Sequence, residues 1–137
     1  MNVLEIPLIK LLGITRNKEN RLELPFLEET ASYFQTQHAG TQFTLAETAS
    51  VDFIQSEFSQ LEGKIDLVFR KSEIKFRQMS QENIIAFASI NQENKNKFEK
   101  YLKRRGQANI AIDIKLIDIQ NIVTFEGVFY WFVSSKI

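Results

Sequence analysis

Hydrophobic and polar residues alternate along most of the chain after residue 62, and this period of two predicts β-strands. Four strands are expected there, at about residues 65–76, 84–90, 110–116 and 123–133. In the first of them the apolar positions change parity between Phe69 and Ile74, which predicts a β-bulge or a change of buried face near residues 70–73. A shorter alternation at Leu22, Leu24 and Phe26 predicts one earlier strand, so five antiparallel strands are expected.

Three other segments repeat their apolar residues every three or four positions, which predicts helices at about residues 4–12, 39–58 and 94–105. Pro7 and Gly13 fit the first turn and the C-terminal cap of the first helix. The second helix is apolar or small on most of its surface and is therefore expected to be largely buried. The third is basic and amphipathic. One long buried helix against an antiparallel sheet is an α+β arrangement.

The last predicted strand carries apolar residues on both faces near its end. Phe129, Trp131 and Val133 share one parity, while Tyr130 and Phe132 share the other. An antiparallel strand of this kind is expected to be covered on both sides, either by a helix or by a second subunit.

Composition narrows the function. The 137 residues suit a single domain over residues 1–137, and 17 basic against 17 acidic residues give zero formal charge. A general nucleic-acid or membrane-surface binder would need a basic excess. With no cysteine and one histidine, neither a thiolate zinc site nor a multi-histidine metal site is possible, and no cofactor is predicted. The N-terminus has no basic segment before its apolar residues, and no apolar run approaches the roughly 20 residues of a membrane span, so a cytoplasmic protein is expected.

The candidate chemistry lies where the long helix begins, at His38-Ala39-Gly40. The first turn of a helix has unpaired N–H groups and a partial positive charge, which stabilise an oxyanion. Gly40 lets a substrate approach the backbone, and His38 is a neighbouring donor. Glu47, nine residues after the histidine, is a candidate general base or nucleophile for acyl transfer.

Helix geometry separates these two groups within one chain. Nine residues span roughly 13 Å, and about 100° per residue places Glu47 on the side of the helix opposite His38. A two-fold dimer with antiparallel long helices would bring Glu47 of one subunit to the helix start of the other. If the site is catalytic, it is therefore expected to lie between subunits.

The chain resembles the hotdog-fold acyl-CoA thioesterases, most closely a thioesterase-like branch whose motif is matched by His38-Ala39-Gly40 and Ala46-Glu47-Thr48-Ala49. The resemblance extends from Leu22 to Val133. It implies a five-stranded antiparallel sheet wrapped around the long helix and dimers joined edge to edge, and it leaves open whether such dimers pair into a tetramer. It also implies that the N–H groups of Ala39 and Gly40 polarise a thioester carbonyl while the partner's Glu47 activates water or attacks.

Several further residues are candidates for contacts with the substrate, and most also have a purely structural interpretation. Phe43 belongs either to the core or to an acyl pocket. The basic end of the third helix is either a solvated face or a site for coenzyme A phosphates, through Lys103, Arg104 and Arg105. Ser32 and Gln35, six and three residues before His38, are expected to contact substrate at positions where many relatives carry asparagine and glycine.

Two functions therefore remain open from the sequence. The preferred one is hydrolysis of acyl-CoA or a related thioester by a homo-oligomer. The alternative is a non-catalytic protein on the same scaffold that holds an acyl chain or another apolar ligand, and Ser32 and Gln35 motivate it.

Overall fold

Six antiparallel strands form a single sheet in the computed structural model, which describes residues 1–136. The strands are β1 (Thr15–Arg16), β2 (Leu22–Leu24), β3 (Ile65–Phe76), β4 (Ile84–Ser89), β5 (Gln107–Asp118) and β6 (Val123–Ser135). Their order across the sheet is β1-β2-β4-β5-β6-β3. Five of them are the predicted strands. The sixth, β1, has only two residues, which is too short for an alternating pattern to show in the sequence.

Three α-helices accompany the sheet: α1 (Pro7–Leu11), α2 (Ala39–Glu57) and α3 (Gln92–Arg105). All three lie where the apolar periodicity predicted them. Pro7 occupies the first position of α1, and Gly106 ends α3 with a φ of +73°, a left-handed conformation that suits glycine. Short 3-10 turns occupy residues 3–5, 28–30 and 59–61.

The long helix α2 packs on the inner face of the sheet, mainly against β2, β4 and β5. Leu45, Ala46 and Ile54 of the helix are fully buried, as are Ile112 and Leu116 of β5. Small residues such as Ala46 let the strands approach the helix closely. The sheet therefore wraps a buried helix, and the fold is the α+β hotdog arrangement that was expected.

The predicted irregularity of β3 is a bulge. Phe69 pairs with Trp131 and Lys71 with Tyr130, so Arg70 has no opposite residue and its guanidinium lies over the ring of Phe132, 4.9 Å from the centroid. The extra residue shifts the alternation by one position, so that Ile74 faces inward as Phe69 does. This shift accounts for the change of parity in the sequence.

The outer face of β6 adjoins α3. A groove of about 430 Å³ runs between α3 and strands β5 and β6, and its walls include Tyr101, Arg105, Tyr130 and Phe132. The second apolar face of β6 is thus partly explained by a helix, one of the two coverings expected. No helix among residues 1–136 is long and apolar enough to cross a membrane.

Candidate active site

His38 is the N-cap residue of α2, and its imidazole closes back on the helix. Its backbone is extended, with φ −70° and ψ 139°, and its Nδ1 accepts a 2.8 Å hydrogen bond from the N–H of Gly40. The carbonyl of His38 accepts the first helical hydrogen bond from the N–H of Gln42 and a second bond from the Thr41 hydroxyl. Because Nδ1 is an acceptor here, the neutral ring carries its proton on Nε2 and can donate it outward.

Gly40 leaves room for the imidazole to close on the helix. A Cβ at position 40 would lie 3.1 Å from Nδ1 and 3.3 Å from Cε1 of His38, closer than side chains normally approach. The N–H of Gly40 already has a partner, because it donates to Nδ1 of His38. The N–H groups of Ala39 and Thr41 have no partner within residues 1–136, and Ala39 is exposed to solvent. The helix start thus presents backbone donors at Ala39 and Thr41 and, beside them, a fixed imidazole N–H.

The loop before the helix is a tight turn over residues 31–37. Ala31 and Gln37 form an isolated antiparallel bridge, and the Ser32 hydroxyl lies 2.8 Å from the Thr36 hydroxyl. Gln35 adopts a φ of +61°, a left-handed conformation that glycine takes without strain. Ser32 therefore holds the turn closed, and Gln35 occupies a backbone position of the kind that favours glycine.

Gln37 ties the helix start to the connection between β3 and β4. Its N–H donates to the Ser80 carbonyl at 2.9 Å, and its Nε2 donates to the Glu82 carbonyl at 3.1 Å. Gln37 is 5% exposed, so these bonds are shielded from water. The position of the candidate oxyanion site is thus fixed relative to the end of β3.

Glu47 lies in the middle of α2 and is half-buried. Its carboxylate has no hydrogen-bond or ion-pair partner among residues 1–136, and burial raises the pKa of this carboxyl above the usual glutamate value. One turn later, the Ser50 hydroxyl donates to the Glu47 carbonyl at 2.6 Å and accepts the indole N–H of Trp131 at 2.8 Å. An unpaired carboxyl with a raised pKa is a suitable general base.

Aromatic rings form a wall beside this part of the helix. Phe43, one turn before Glu47, contacts Phe69 and Phe129 with centroid separations of 6.2 and 5.4 Å. Phe69 in turn contacts Trp131 at 5.2 Å. Sequence reasoning named Phe43 but missed Phe69 and Trp131. Their alternation marked them as inward-facing, and nothing in that pattern showed that they face the helix turn that carries Glu47.

The other predicted site residues lie apart from Glu47 within the subunit. His38 caps the helix two and a half turns earlier. Lys103, Arg104 and Arg105 are exposed on the last turn of α3, where the Arg105 guanidinium lies 4.9 Å from the ring centroid of Tyr101. Lys103 also lines a groove of about 430 Å³ with Lys64 and Ile65, and no residue of 38–47 lines that groove. Within one subunit, therefore, the candidate residues do not come together in a single site.

Asp52, the other acid of α2, has a structural partner. Both of its carboxylate oxygens accept hydrogen bonds from Arg16 of β1, at 2.8 and 2.9 Å. This bidentate pair ties the short edge strand to the helix. Glu47, by contrast, forms no ion pair within residues 1–136.

The fold is that of the hotdog proteins, and the family model that matches the chain is one of thioesterases. The chain belongs to the family described as "Putative thioesterase (yiiD_Cterm)", whose model matches residues 4–133. No curated protein matches the chain significantly.

Solved structures show the same fold. A protein of unknown function from Pseudomonas aeruginosa, described as a probable thioesterase, is 21% identical over 97% of this chain and 91% of its own, with a TM-score of 0.83. The BH2602 protein from Bacillus halodurans, solved with CoA, is 20% identical over 92% of this chain and 74% of its own, with a TM-score of 0.72. The E. coli PaaI protein, from a phenylacetic acid degradation operon, is 18% identical over 93% and 83%, with a TM-score of 0.67. At these identities the likeness establishes the fold.

Proposed function

We propose that the protein is a homo-oligomeric hydrolase of acyl-CoA or related thioesters whose active site lies between two subunits. The observation that carries this proposal is Glu47: a half-buried carboxyl with a raised pKa and no partner within residues 1–136, on the helix whose start offers unpaired N–H donors. Family membership supports the same chemistry.

The edge of the sheet supports the dimer. Strand β3 is the last in the sheet order, so one side of its 12 residues pairs with β6 and the other faces no strand of the described chain. A long unpaired edge normally pairs with another chain unless it is shortened or covered. The opposite edge, β1, is only two residues long. Antiparallel pairing of β3 with the partner's β3 would extend the sheet across a two-fold axis.

The positions of His38, Phe43 and Glu47, measured along the direction of β3, support a particular register for the pairing of β3 with the partner's β3. Phe43 meets Phe69, while the end of α2, at Ile54 and Phe58, lies beside Ile65 and Leu67, so α2 runs opposite to β3. From Phe43, His38 lies about 7.5 Å back along the helix and Glu47 about 6 Å forward.

At about 3.3 Å per strand residue, His38 is then level with about Ser72 and Glu47 with about Leu67. A two-fold axis between Phe69 and Arg70, at the bulge, would bring these two levels together. Glu47 of one subunit would then face the partner's His38, as the proposal requires.

The chemistry follows from these groups. The Nε2–H of His38 and the backbone N–H of Ala39 donate to the thioester carbonyl oxygen and stabilise the oxyanion that develops there. Glu47 of the partner subunit removes a proton from water, whose oxygen bonds to the carbonyl carbon. The carbon–sulfur bond then breaks, and the thiolate takes the proton from Glu47 and leaves as a thiol beside the free acid, which regenerates the Glu47 carboxylate. Gly40 fixes the histidine tautomer through its own N–H.

Binding of the rest of the substrate is assigned to the loop and to the basic end of α3. Ser32 and Gln35 shape the turn beside the helix start, Phe43 borders the acyl group, and Lys103, Arg104 and Arg105 bind coenzyme A phosphates. The presence of CoA in the Bacillus halodurans structure supports a CoA thioester as the substrate.

A hydrolysis assay tests the proposal. Release of free thiol is measured with a panel of acyl-CoA thioesters for the parent, Glu47→Gln and the control Glu57→Gln on the same helix. Loss of a general base should lower kcat by about 10²–10⁴-fold in Glu47→Gln, while Glu57→Gln stays near the parent. Equal rates in the parent and Glu47→Gln would remove Glu47 from the mechanism.

Subunit mixing tests the shared site. Glu47→Gln and His38→Ala are each expected to be nearly inactive. After the two are unfolded together and refolded at equal amounts, half of the dimers hold one of each subunit, and each of these has one intact site. Activity should therefore recover to about a quarter of the parent's. No recovery in a confirmed mixed dimer would place both groups in one subunit's site.

The second candidate is a protein that binds its ligand without hydrolysing it. It is favoured because the Ser32 hydroxyl and the Gly40 N–H are already hydrogen-bonded within the chain. It predicts a rise in Tm with CoA thioesters and no thiol release at any concentration.

A further inference from the structure

We infer that the acyl pocket beside Glu47 is short, and that Phe43 and Phe69 set its depth so that the protein takes compact acyl groups rather than long chains. This inference rests on the proposed function and concerns the same site. Family membership does not determine the length of the acyl group, whereas the side chains around Glu47 limit the space for it.

The position of the wall relative to Glu47 follows from contacts on both sides of the carboxyl. Phe43 precedes Glu47 by one turn and lies on the same face of α2. On the other side, Trp131 is bound to the helix through Ser50, whose hydroxyl contacts the Glu47 carbonyl. Phe69 contacts both Phe43 and Trp131 and therefore spans the strand side of the helix turn that carries Glu47.

Behind this wall the interior is filled. Phe129 is fully buried and stacks on Phe69 at 5.8 Å, and Phe125, also fully buried, stacks on Phe129 at 6.2 Å. A long acyl chain directed from Glu47 toward the sheet would have to displace these rings. Packed interiors do not yield space of that size without large cost.

The two front rings differ from the rings behind them. Within one subunit Phe43 and Phe69 are only half-buried, so each keeps a surface that faces the proposed site between subunits, whereas Phe125 and Phe129 have none. Phe43 and Phe69 are therefore the floor of the pocket, and truncating either one should deepen it. Each further methylene that becomes seated against apolar surface is worth about fourfold in binding.

The experiment measures kcat/KM for acetyl-, butyryl-, hexanoyl-, octanoyl- and palmitoyl-CoA with the parent, Phe43→Ala, Phe43→Leu and Phe69→Ala. The control is Phe58→Leu, an aromatic truncation at the far end of α2, where Phe58 packs on Phe98. In the parent, kcat/KM should fall at least tenfold between hexanoyl- and palmitoyl-CoA. In Phe43→Ala and Phe69→Ala, the ratio of octanoyl- to butyryl-CoA should rise at least tenfold, with a smaller rise in Phe43→Leu and none in Phe58→Leu.

Binding of S-alkyl-CoA thioethers, which cannot be hydrolysed, gives a second readout that does not depend on catalysis. If thioether binding falls with alkyl length and the same substitutions relax that limit, the inference is supported. If, in addition, no thioester is hydrolysed, only the proposed hydrolysis is overturned. A parent that accepts palmitoyl and butyryl groups equally, or truncations that leave the profile unchanged, would overturn the inference while leaving hydrolysis in place. Absence of both hydrolysis and thioether binding would overturn both.

Discussion

Glu47 is an ionisable side chain in a position that favours its neutral form. Burial raises the pKa of its carboxyl, and no cation of residues 1–136 compensates. The folded chain therefore holds this proton more tightly than the unfolded chain does. As the pH rises from the usual glutamate pKa of 4.5 through the raised value, the carboxyl ionises at a cost and the folded state loses stability.

Glu47→Gln is accordingly expected to raise the free energy of unfolding at neutral pH while lowering activity. The gain over the parent should be largest above the raised pKa and should vanish below the usual glutamate range, where both side chains are neutral. Urea unfolding of both proteins between pH 3.5 and 8 measures it. Glu57→Gln, which loses an ion pair with Lys95, should show no such gain. A parent that is more stable than Glu47→Gln at pH 8 would mean that the carboxylate has a stabilising partner.

The position of the His38 ring depends on the missing side chain of Gly40. Gly40→Ala should push the imidazole off the helix start, because its Cβ would lie 3.1 Å from Nδ1. We expect thioester hydrolysis to fall by roughly 10–100-fold through misplacement of one donor. Stability should stay within about 0.5 kcal/mol of the parent, since the position is exposed and its φ is ordinary.

A double-mutant cycle separates this effect from a direct loss at the backbone. In a His38→Ala background the added methyl group of Gly40→Ala has no ring to displace, so it should cost almost nothing further. A similar loss in both backgrounds would show that the methyl group obstructs the substrate itself.

At the scale of the elements, hydrophobic periodicity predicted the helices and the five long or well-patterned strands, because each buries one regular face. It also located the bulge, since an inserted residue shifts every later side chain of β3. Contacts that depend on tertiary packing could not be predicted in this way. The bond from Trp131 to Ser50 joins residues 81 positions apart, and the pairing of Arg16 with Asp52 joins a two-residue strand to a helix.

Gly127 of β6 allows β3 to lie close to the strand. A Cβ at this position would come within 2.7 Å of both the Glu73 carbonyl oxygen and Cγ2 of Ile74. Gly127→Ala should therefore force the strands apart just beyond the bulge and lower the free energy of unfolding by about 1–3 kcal/mol. Urea unfolding at fixed protein concentration measures the change.

Gly63→Ala is the matched control for this prediction. Gly63 has a φ of +74°, and apart from its chain neighbours no residue of 1–136 has an atom within 4 Å of the point that an alanine Cβ would occupy, so the substitution carries mainly backbone strain. It should cost about 1 kcal/mol. If Gly127→Ala costs no more than Gly63→Ala, β6 and β3 do not approach each other as closely as the 2.7 Å separation requires.

For the whole molecule, the two edges of the sheet are unequal. β1 is two residues long and is joined to the helix by Arg16, whereas one side of the 12-residue strand β3 pairs with no strand of residues 1–136. In the proposed β3 dimer, the levels of His38 and Glu47 along β3 would place the two-fold axis near Arg70. That register would bring the two halves of the candidate site together, so a test of the register is also a test of the proposed active site.

Arg70→Cys tests the register directly, because the chain contains no cysteine and any disulfide must link two subunits. With the axis beside residue 70, the two Cα atoms would be about 5–6 Å apart, within disulfide range. Under mild oxidation we expect a covalent dimer on a non-reducing gel. Lys75→Cys, on the same strand, would place its two Cα atoms about 35 Å apart and should remain monomeric on that gel. Efficient cross-linking of Lys75→Cys, or of neither variant in a protein that is dimeric in solution, would show that the subunits meet elsewhere and would remove the geometric basis for a shared site.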